Sequence, residues 1–179
     1  MKRKTVVIGV TGSIACYKAL DIIRRLKEFN ISCIPVLTRE AEEFIRPILF
    51  QAISGNKVFT SGLFNLPEEW EIEHISLADR ADLVLVAPAT ANIIGKIANG
   101  ICDDMLTCVI IATKAPVLFA PAMNLNMYNN KVVQKNIDIL KKFGYHFTGP
   151  IEGRLACGVK GVGHLQDLDV IIKEVRALL

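Results

Sequence analysis

The segment from Ala120 to Tyr128, Ala-Pro-Ala-Met-Asn-Leu-Asn-Met-Tyr, carries polar groups at a position where α/β proteins bind ligands. It follows a strand-like run that begins at Pro116 and precedes a helical pattern, so it falls at the carboxyl end of a buried strand. In an open parallel sheet, ligands bind at that edge. The amide of Asn124 both donates and accepts hydrogen bonds, so it can hold a carboxylate without a charge. Capping of the following helix is the equally weighted alternative for Asn124.

Two other side chains are suited to proton transfer. His74 opens the run His-Ile-Ser-Leu-Ala-Asp just before a predicted strand, and an imidazole exchanges protons near neutral pH, as a general base must. A structural or surface histidine is the alternative. Cys157 lies among glycines in a polar, partly basic segment, whereas the other four cysteines fall in apolar strands or helices, where an inert buried thiol is expected. Cys157 is therefore the one cysteine predicted to take part in proton transfer or redox chemistry.

A glycine-containing turn, Gly-Val-Thr-Gly-Ser-Ile-Ala at residues 9–15, joins the first predicted strand to a helix. Backbone N–H groups and the positive helix end at such a turn can hold a phosphate. The turn lacks both the G-x-G-x-x-G spacing of a dinucleotide site and the Gly-Lys-Ser/Thr ending of a Walker loop. The second strand ends at Thr38 and Arg39, where a dinucleotide site would carry an acidic residue. A hydroxyl and a cation suit one terminal phosphate better, and a tight turn without a ligand is the alternative.

The small residues at 87–92, Ala-Pro-Ala-Thr-Ala-Asn, follow the third predicted strand. A flat ring could approach the backbone closely at this point. Close packing without any ligand is the more common reason for small residues at a strand end.

The elements that must position these groups alternate between strand and helix. Apolar runs predict strands at 5–10, 32–37, 82–87 and 117–120, and helical periodicity follows each of them. The first helix carries its apolar stripe at Ala15, Ala19, Ile22, Leu26 and Phe29. This βαβ alternation predicts an α/β fold with a doubly wound, Rossmann-like (flavodoxin-like) parallel sheet in a single domain, 1–179. Residues 55–73 and 149–164 are irregular or glycine-rich, which predicts flaps or subunit contacts.

The composition excludes several classes of protein. The chain of 179 residues is 51% hydrophobic and 22% charged with a net charge of +3, and it has no dense basic stripe, so nucleic-acid binding is not expected. The basic start and the apolar run to Cys16 imitate a signal peptide, but glycines and hydroxyls interrupt that run, which favours a core strand. No apolar stretch approaches the roughly 20 residues that span a bilayer. Five cysteines without metal-ligand spacing predict a reducing cytoplasmic location and no metal site.

Taken together and in this order, the motifs resemble the homo-oligomeric flavin-containing cysteine decarboxylases. The resemblance rests on Gly-Ser-Ile-Ala at 12–15, His-Ile-Ser-Leu at 74–77, Pro-Ala-Met-Asn-Leu-Asn-Met-Tyr at 121–128 and Leu-Ala-Cys-Gly at 155–158. It covers essentially the whole chain, including 95–100 and 103–107. It implies an enzyme of coenzyme A biosynthesis that decarboxylates 4'-phosphopantothenoylcysteine to 4'-phosphopantetheine.

The resemblance also implies FMN at the carboxyl ends of the strands. The residues expected to bind this cofactor are Gly12, Ser13, Ile14, Thr38, Arg39, Thr90, Ala91, Asn92 and Ala122. The chemistry agrees with a flavin, because direct loss of carbon dioxide from a cysteine leaves a carbanion with nothing to delocalise it.

For the reaction itself, the resemblance implies that His74 acts as base and Cys157 as acid. The residues expected to bind the substrate are Asn124, Met127, Arg154 and Ala156. The family further implies a homotrimer, or a dodecamer built from trimers, with the cofactor at subunit interfaces and His74 contributed across them.

Two features depart from the family pattern. Val159 and Lys160 follow the Ala-Cys-Gly motif, where family members often carry an acidic residue. This leaves the flap contacts and the binding of the substrate phosphate open. The chain also ends soon after the motif, without the ligase domain of many bacterial versions, which predicts the stand-alone form.

Three other functions compete with this prediction. A peptide-cysteine decarboxylase differs only in pocket shape, since a peptide tail replaces the pantothenoyl arm. A flavin prenyltransferase is disfavoured by the Ala-Cys-Gly motif and by Asn124. A non-catalytic regulator that binds a phosphatase can keep His74, but such proteins usually carry extended acidic tails, which this sequence lacks.

Overall fold

A computed structural model describes residues 3–61, 73–154, 158 and 160–179. Five strands form one parallel sheet in the order β2-β1-β3-β4-β5. They are β1 (Thr5–Val10), β2 (Ser32–Leu37), β3 (Leu83–Ala89), β4 (Val117–Pro121) and β5 (His146–Phe147). The order reverses between β1 and β3, and a doubly wound sheet opens its ligand-binding crevice at the carboxyl ends of that pair. The predicted flavodoxin-like fold is confirmed.

The strand bounds follow the apolar runs closely. The ranges predicted for β1 and β2 match, β3 starts one residue later than predicted and runs on to Ala89, and β4 includes Pro121. Strand β5 was not predicted, because two residues are too few to show a period of two. Phe147 of β5 stacks on Phe119 of β4, with ring centroids 5.2 Å apart, so packing identifies this strand.

Helices flank the sheet on both faces. They are α1 (Lys18–Glu28), α2 (Arg39–Phe44), α3 (Pro47–Ser54), α4 (Glu73–Arg80), α5 (Ala91–Ala98), α6 (Met105–Ala112), α7 (Leu125–Tyr128), α8 (Lys131–Lys142) and α9 (Leu168–Leu178). A 3-10 helix, Ile14–Tyr17, precedes α1 and contains Ala15. The predicted stripe of α1 is wrong at Phe29, which is 45% exposed because the helix ends one residue earlier. The Arg176 guanidinium lies over the Phe29 ring at 4.0 Å.

Two apolar cores lie on opposite faces of the sheet. Val6, Ile8 and Val10 of β1 pack into the core that includes α1 and α9. Val7 of the same strand packs into the core that includes α5, α6 and α8. Burial on both faces explains why the parallel strands appear in the sequence as continuous apolar runs.

Residues 149–164, which are glycine-rich or irregular in sequence and predicted a flap or a subunit contact, contain an antiparallel hairpin of β6 (Ile151–Arg154) and β7 (Lys160–His164). The base of this hairpin is tied to the segment after β4, because the Met123 N–H donates to the Gly163 carbonyl at 3.0 Å. Glycines at several positions of 149–164 hide the alternation that predicts strands. The Lys160 ammonium lies 3.5 Å from Glu152, so these side chains pair within the hairpin.

The other predicted flap, 55–73, lies partly outside the described residues. Its described part forms a bridge beside β2, where the Phe59 N–H donates to Pro35 and the Leu37 N–H donates to Phe59. Among the described residues, no helix is long and apolar enough to cross a membrane.

Candidate active site

The carboxyl ends of β1 and β3 are joined by the side chain of Thr11. Its hydroxyl donates to the Pro88 carbonyl at 2.7 Å and accepts from the Thr90 N–H at 3.1 Å. Thr11 is buried, so both bonds are shielded from water and hold the crevice between the strands at a fixed width. Thr11 was not among the predicted site residues. The sequence did offer one indication of its role, because Thr11 is a hydroxyl residue directly after the first strand.

A cavity of about 200 Å³, the strand-end cavity, opens at this crevice. Its lining residues are Thr11, Gly12, Thr38, Glu40, Thr90, Asn92, Ile93, Asp104 and Met127. Five of the predicted site residues therefore come together here. The helices α2, α5 and α6 all begin beside the cavity, and the N–H groups at helix starts favour a bound anion.

Thr38 provides the clearest sign that a ligand belongs in the strand-end cavity. It occupies the N-cap position of α2, but its side chain makes no capping hydrogen bond. Its hydroxyl is buried and has no hydrogen-bond partner among the described residues. A buried hydroxyl left unpaired costs about 1–3 kcal/mol. A phosphate oxygen accepting from Thr38 would remove that cost, so this hydroxyl favours a ligand that carries a phosphate.

The turn before the 3-10 helix is tightly built. A Cβ added to Gly12 would lie 2.4 Å from the Glu40 Cβ, so a larger residue would push α2 away. The Ser13 hydroxyl accepts from the Ala15 N–H at 3.4 Å, and the Ser13 N–H donates to Thr11 at 2.8 Å. The N–H groups of Ser13 and Ala15 are therefore already engaged and are not available to a phosphate. A phosphate bound here would depend more on the Thr38 hydroxyl and on the N–H groups at the helix starts.

Two carboxylates also line the strand-end cavity. Asp104 is held by the Lys96 ammonium at 3.0 Å and caps α6 by accepting from the Thr107 N–H at 2.8 Å. Partial burial lowers the pKa of Lys96, but its hydrogen bonds and charge interactions with Asp103 and Asp104 together leave the pKa raised above its usual value. Glu40 is exposed.

A second cavity of about 670 Å³, the hairpin cavity, lies between the 3-10 helix, the segment after β4 and the hairpin. Five predicted residues line it: Ser13, Ile14, Ala122, Asn124 and Arg154. The two cavities are neighbours, because two consecutive residues line them: Gly12 lines the strand-end cavity and Ser13 lines the hairpin cavity. A cofactor and a longer substrate could therefore lie side by side.

Asn124 lies in the hairpin cavity and also caps α7. Its Oδ1 accepts from the Asn126 N–H at 2.8 Å, so the capping alternative is observed. Capping uses the oxygen, whereas binding a carboxylate would use the donors on Nδ2. Capping by Oδ1 does not by itself exclude a carboxylate at Nδ2.

Several predicted site residues lie elsewhere. Arg39 is exposed in the first turn of α2, and Ala91 begins α5, but neither lines the two cavities. Met127, predicted to bind substrate, lies in the strand-end cavity and not beside Asn124 in the other. Cys157 and Ala156 lie outside the described residues.

His74 is half-buried in the first turn of α4 and lines neither cavity. A helix between parallel strands runs against them, so the start of α4 is at the same edge of the sheet as the cavities. The neighbouring Glu73 carboxylate pairs with Lys57 at 2.7 Å. Within one chain, His74 is therefore at the edge of the sheet that carries the cavities, but it lines neither of them.

The burial of the four described cysteines differs in part from the prediction that all of them lie in apolar strands or helices. Burial raises the pKa of Cys33 to about 12, which makes this thiol inert. Cys16 is buried as expected, and burial raises its pKa. Cys102 is exposed in the loop before α6, so its predicted placement in an apolar element is wrong. Burial also raises the pKa of Cys108, which is partly exposed in α6.

The hairpin cavity contains a pair that was not predicted. The Lys18 ammonium lies 3.0 Å from Nε2 of His164. The two residues are 146 positions apart, so no local pattern indicated their contact.

Comparison with known proteins assigns the chain to a family. The family model described as Flavoprotein matches residues 1–179. The probable phosphopantothenoylcysteine decarboxylase of Streptococcus mutans is 42% identical over 178 residues, which cover 98% of this chain and 99% of that protein. The coenzyme A biosynthesis bifunctional protein CoaBC of Bacillus subtilis is 44% identical over 173 residues, 97% of this chain. The chain spans only 42% of the length of that relative.

Solved structures of cysteine decarboxylases are also similar to the chain over nearly its whole length. A cysteine-to-serine variant of PPC decarboxylase complexed with pantothenoylaminoethenethiol superposes with a TM-score of 0.86 at 29% identity, over 98% of both chains. The FMN-dependent cysteine decarboxylase SpaF superposes with a TM-score of 0.82 at 27% identity, over 98% of this chain and 97% of the other.

Proposed function

The chain belongs to the flavoprotein family, and from that membership we propose that it decarboxylates 4'-phosphopantothenoylcysteine to 4'-phosphopantetheine, a step of coenzyme A biosynthesis. The full-length similarity to a probable phosphopantothenoylcysteine decarboxylase supports this assignment. The structural observation that carries it is the pair of adjoining cavities. One offers the unpaired Thr38 hydroxyl to a phosphate, and the other holds Asn124 where a carboxylate could bind.

FMN is the proposed cofactor, since the structurally similar decarboxylase SpaF is FMN-dependent and the strand-end cavity suits one phosphate. Thr38 and the starts of α2 and α5 would hold the phosphate, and Thr90, Asn92 and Ala122 would lie along the rest of the molecule. When bound, FMN supplies the electron sink without which loss of carbon dioxide would leave an unstabilised carbanion.

The other roles belong to the side chains of the protein. The Nδ2 donors of Asn124 would orient the substrate carboxylate, while Oδ1 stays on the Asn126 N–H and keeps the amide in place. His74 of a neighbouring subunit would take the proton of the substrate thiol at an imidazole nitrogen. Cys157 would return a proton to the product, with Ala156 beside it. The hairpin would cover the substrate and exclude water.

Replacing Thr38 by valine is expected to weaken FMN binding about ten- to hundredfold, because it removes one hydrogen bond to the charged phosphate. Titration of flavin fluorescence measures the dissociation constant for FMN and for riboflavin, which lacks the phosphate. The loss should appear for FMN alone. Thr148→Val is the matched control, because the Thr148 hydroxyl is also buried without a partner among the described residues but lines neither cavity. Equal losses for both flavins would contradict the phosphate assignment.

The activity itself is tested by mass spectrometry. The purified protein is incubated with 4'-phosphopantothenoylcysteine or with a peptide that ends in cysteine, and each is examined for loss of carbon dioxide. Turnover of the first supports the proposal, and turnover of the peptide alone supports the peptide-cysteine alternative. A flavin-loaded protein that acts on neither would favour the non-catalytic regulator.

We propose that the working form is a homotrimer, or a dodecamer of trimers. His74 lines neither of the two cavities in one chain, which is consistent with a site that takes this residue from a second subunit. Large apolar side chains are also exposed near the hairpin cavity and on α2 and α3, among them Ile14 at 59%, Tyr17 at 55%, Phe44 at 52% and Ile48 at 65%. Exposed apolar side chains of this size are candidates for a contact surface between subunits.

Light scattering coupled to gel filtration is expected to give a mass of three chains, or of twelve, for the flavin-loaded protein. A single chain has a mass of 19.7 kDa. An active, flavin-loaded monomer would refute the shared site.

The cytoplasm is the proposed compartment, with the substrate as a small-molecule partner beside the cofactor and with no nucleic acid or membrane involved. The described cysteines are free thiols, as expected in a reducing environment.

A further inference from the structure

We propose that Lys18 and Arg154, with His164 as a positioning residue, form the site for the phosphate of the substrate in the hairpin cavity. This inference rests on the proposed function, because it assigns the end of the substrate that is remote from the reacting cysteine. A phosphomonoester dianion is the ligand class that two nearby cations bind.

The charges of the hairpin cavity carry the inference. Lys18 and Arg154 both line it, and no carboxylate is among its described lining residues. Neither cation lies in an ion pair with a described carboxylate. Two unneutralised cations at one concave surface favour an anionic ligand.

The Lys18–His164 contact holds one of these cations in position. An ammonium has only donors, so at 3.0 Å Lys18 donates to Nε2 of His164, which acts as the acceptor in this contact. An ammonium that donates once to His164 has two further N–H donors for an incoming anion. Its half-buried setting strengthens a charge-assisted hydrogen bond to an incoming anion.

His164 is itself held by the hairpin. A Cβ added to Gly153 on β6 would lie 2.9 Å from both Cβ and Cγ of His164 on β7, so the imidazole packs directly on the glycine backbone. Arg154 follows Gly153 on the same strand. The hairpin thus supplies Arg154 directly and orients Lys18 through His164.

The position of Asn124 decides which substrate group these cations meet. Asn124 lines the same cavity and is the proposed partner of the substrate carboxylate. The cavity volume of about 670 Å³ is within the range for sites that enclose a drug-sized ligand. One cavity can therefore hold both ends of the substrate, the carboxylate at Asn124 and the phosphate at Lys18 and Arg154. A peptide substrate ending in cysteine carries no such phosphate.

The test compares 4'-phosphopantothenoylcysteine with pantothenoylcysteine, which differ only in the phosphate. The ratio of their kcat/KM values is expected to fall about ten- to hundredfold in Lys18→Gln, because one charge-assisted hydrogen bond to the phosphate is lost. Lys18→Arg should retain most of the ratio. His164→Gln, which keeps an acceptor for Lys18, should retain more of it than His164→Leu does. Lys173→Gln is the control, since it removes the same charge from an exposed position on α9.

Three results would overturn the inference. An unchanged ratio in Lys18→Gln shows that Lys18 does not bind the phosphate. Equal losses on both substrates assign the cation to the carboxylate that they share. If Lys18→Gln weakens the binding of FMN more than that of riboflavin, Lys18 binds the phosphate of the cofactor.

Failure of the proposed function gives a different result. If the wild-type protein decarboxylates neither substrate, calorimetry compares the binding of 4'-phosphopantetheine and pantetheine to wild type and to Lys18→Gln. A preference for the phosphorylated ligand that Lys18→Gln loses supports the phosphate site, and no preference overturns it.

Discussion

Replacing His74 by asparagine is expected to lower turnover by a factor of about 100 to 10,000 while the protein keeps its flavin. Asparagine preserves polarity at this half-buried position but cannot act as a base near neutral pH. Helix α4 should remain in place, because Leu77 and Ala78 anchor it in the core. Flavin binding should persist, because the proposed phosphate contact is made by Thr38 and asparagine keeps a polar side chain at position 74. Carbon dioxide release measures turnover, and flavin absorbance measures occupancy.

His146→Asn is the matched control for this variant. His146 is exposed on the edge strand β5, so the same chemical change there should leave turnover unaffected. Turnover of His74→Asn near the wild-type value would show that His74 is a surface histidine.

Mixing two inactive variants tests whether His74 acts across a subunit interface. His74→Asn and Asn124→Ala are co-expressed with different tags, and mixed oligomers are purified by both tags. If His74 serves the cavity of a neighbouring chain, some sites in a mixed trimer combine an intact His74 with an intact Asn124, and part of the activity returns. If each chain builds its own site, every site lacks one group, and the absence of recovery would refute the shared site.

Gly163→Ala is expected to lower kcat/KM about a hundredfold or more. A Cβ at this position would lie 2.2 Å from the Met123 carbonyl oxygen, so the two backbones must separate. Their separation breaks the bond from the Met123 N–H to the Gly163 carbonyl and moves the hairpin relative to Asn124. A displacement of about 1 Å in a group that positions substrate can cost about 100-fold in rate. Overpacking of this kind also costs about 1–3 kcal/mol of stability.

Affinity for FMN should fall much less than kcat/KM in Gly163→Ala, because the proposed phosphate contact lies in the strand-end cavity, which no hairpin residue lines in the described part of the chain. Steady-state kinetics, flavin titration and thermal unfolding separate these effects. Gly95→Ala in α5 is the control, since its nearest neighbour would be the Asn136 Nδ2 at an ordinary 3.6 Å. An alanine variant at 163 with full activity would show that the hairpin need not be held at Met123.

The sequence by itself determined the parallel sheet and the position of its ligand-binding edge. The runs at 5–10 and 32–37 became β1 and β2 without a change of bounds, because burial on both faces requires continuous apolar residues. Thr38 and Asn124 were identified because each follows a strand, and the carboxyl ends of parallel strands share one edge. The local residue pattern and the direction of the chain are sufficient to predict both the sheet and its ligand-binding edge.

The tertiary structure alone decided which side chains meet. The Thr11 hydroxyl reaches Pro88 and Thr90 because β1 and β3 are neighbours in the sheet, although the two strand ends are far apart in the sequence. Lys18 meets His164 because the hairpin folds over the 3-10 helix, and Gly163 packs on Met123 because the base of the hairpin docks after β4. Glycines concealed the hairpin, since they carry no side chain whose alternation could indicate a strand. Contacts between distant segments depend on strand order and packing, which no local pattern encodes.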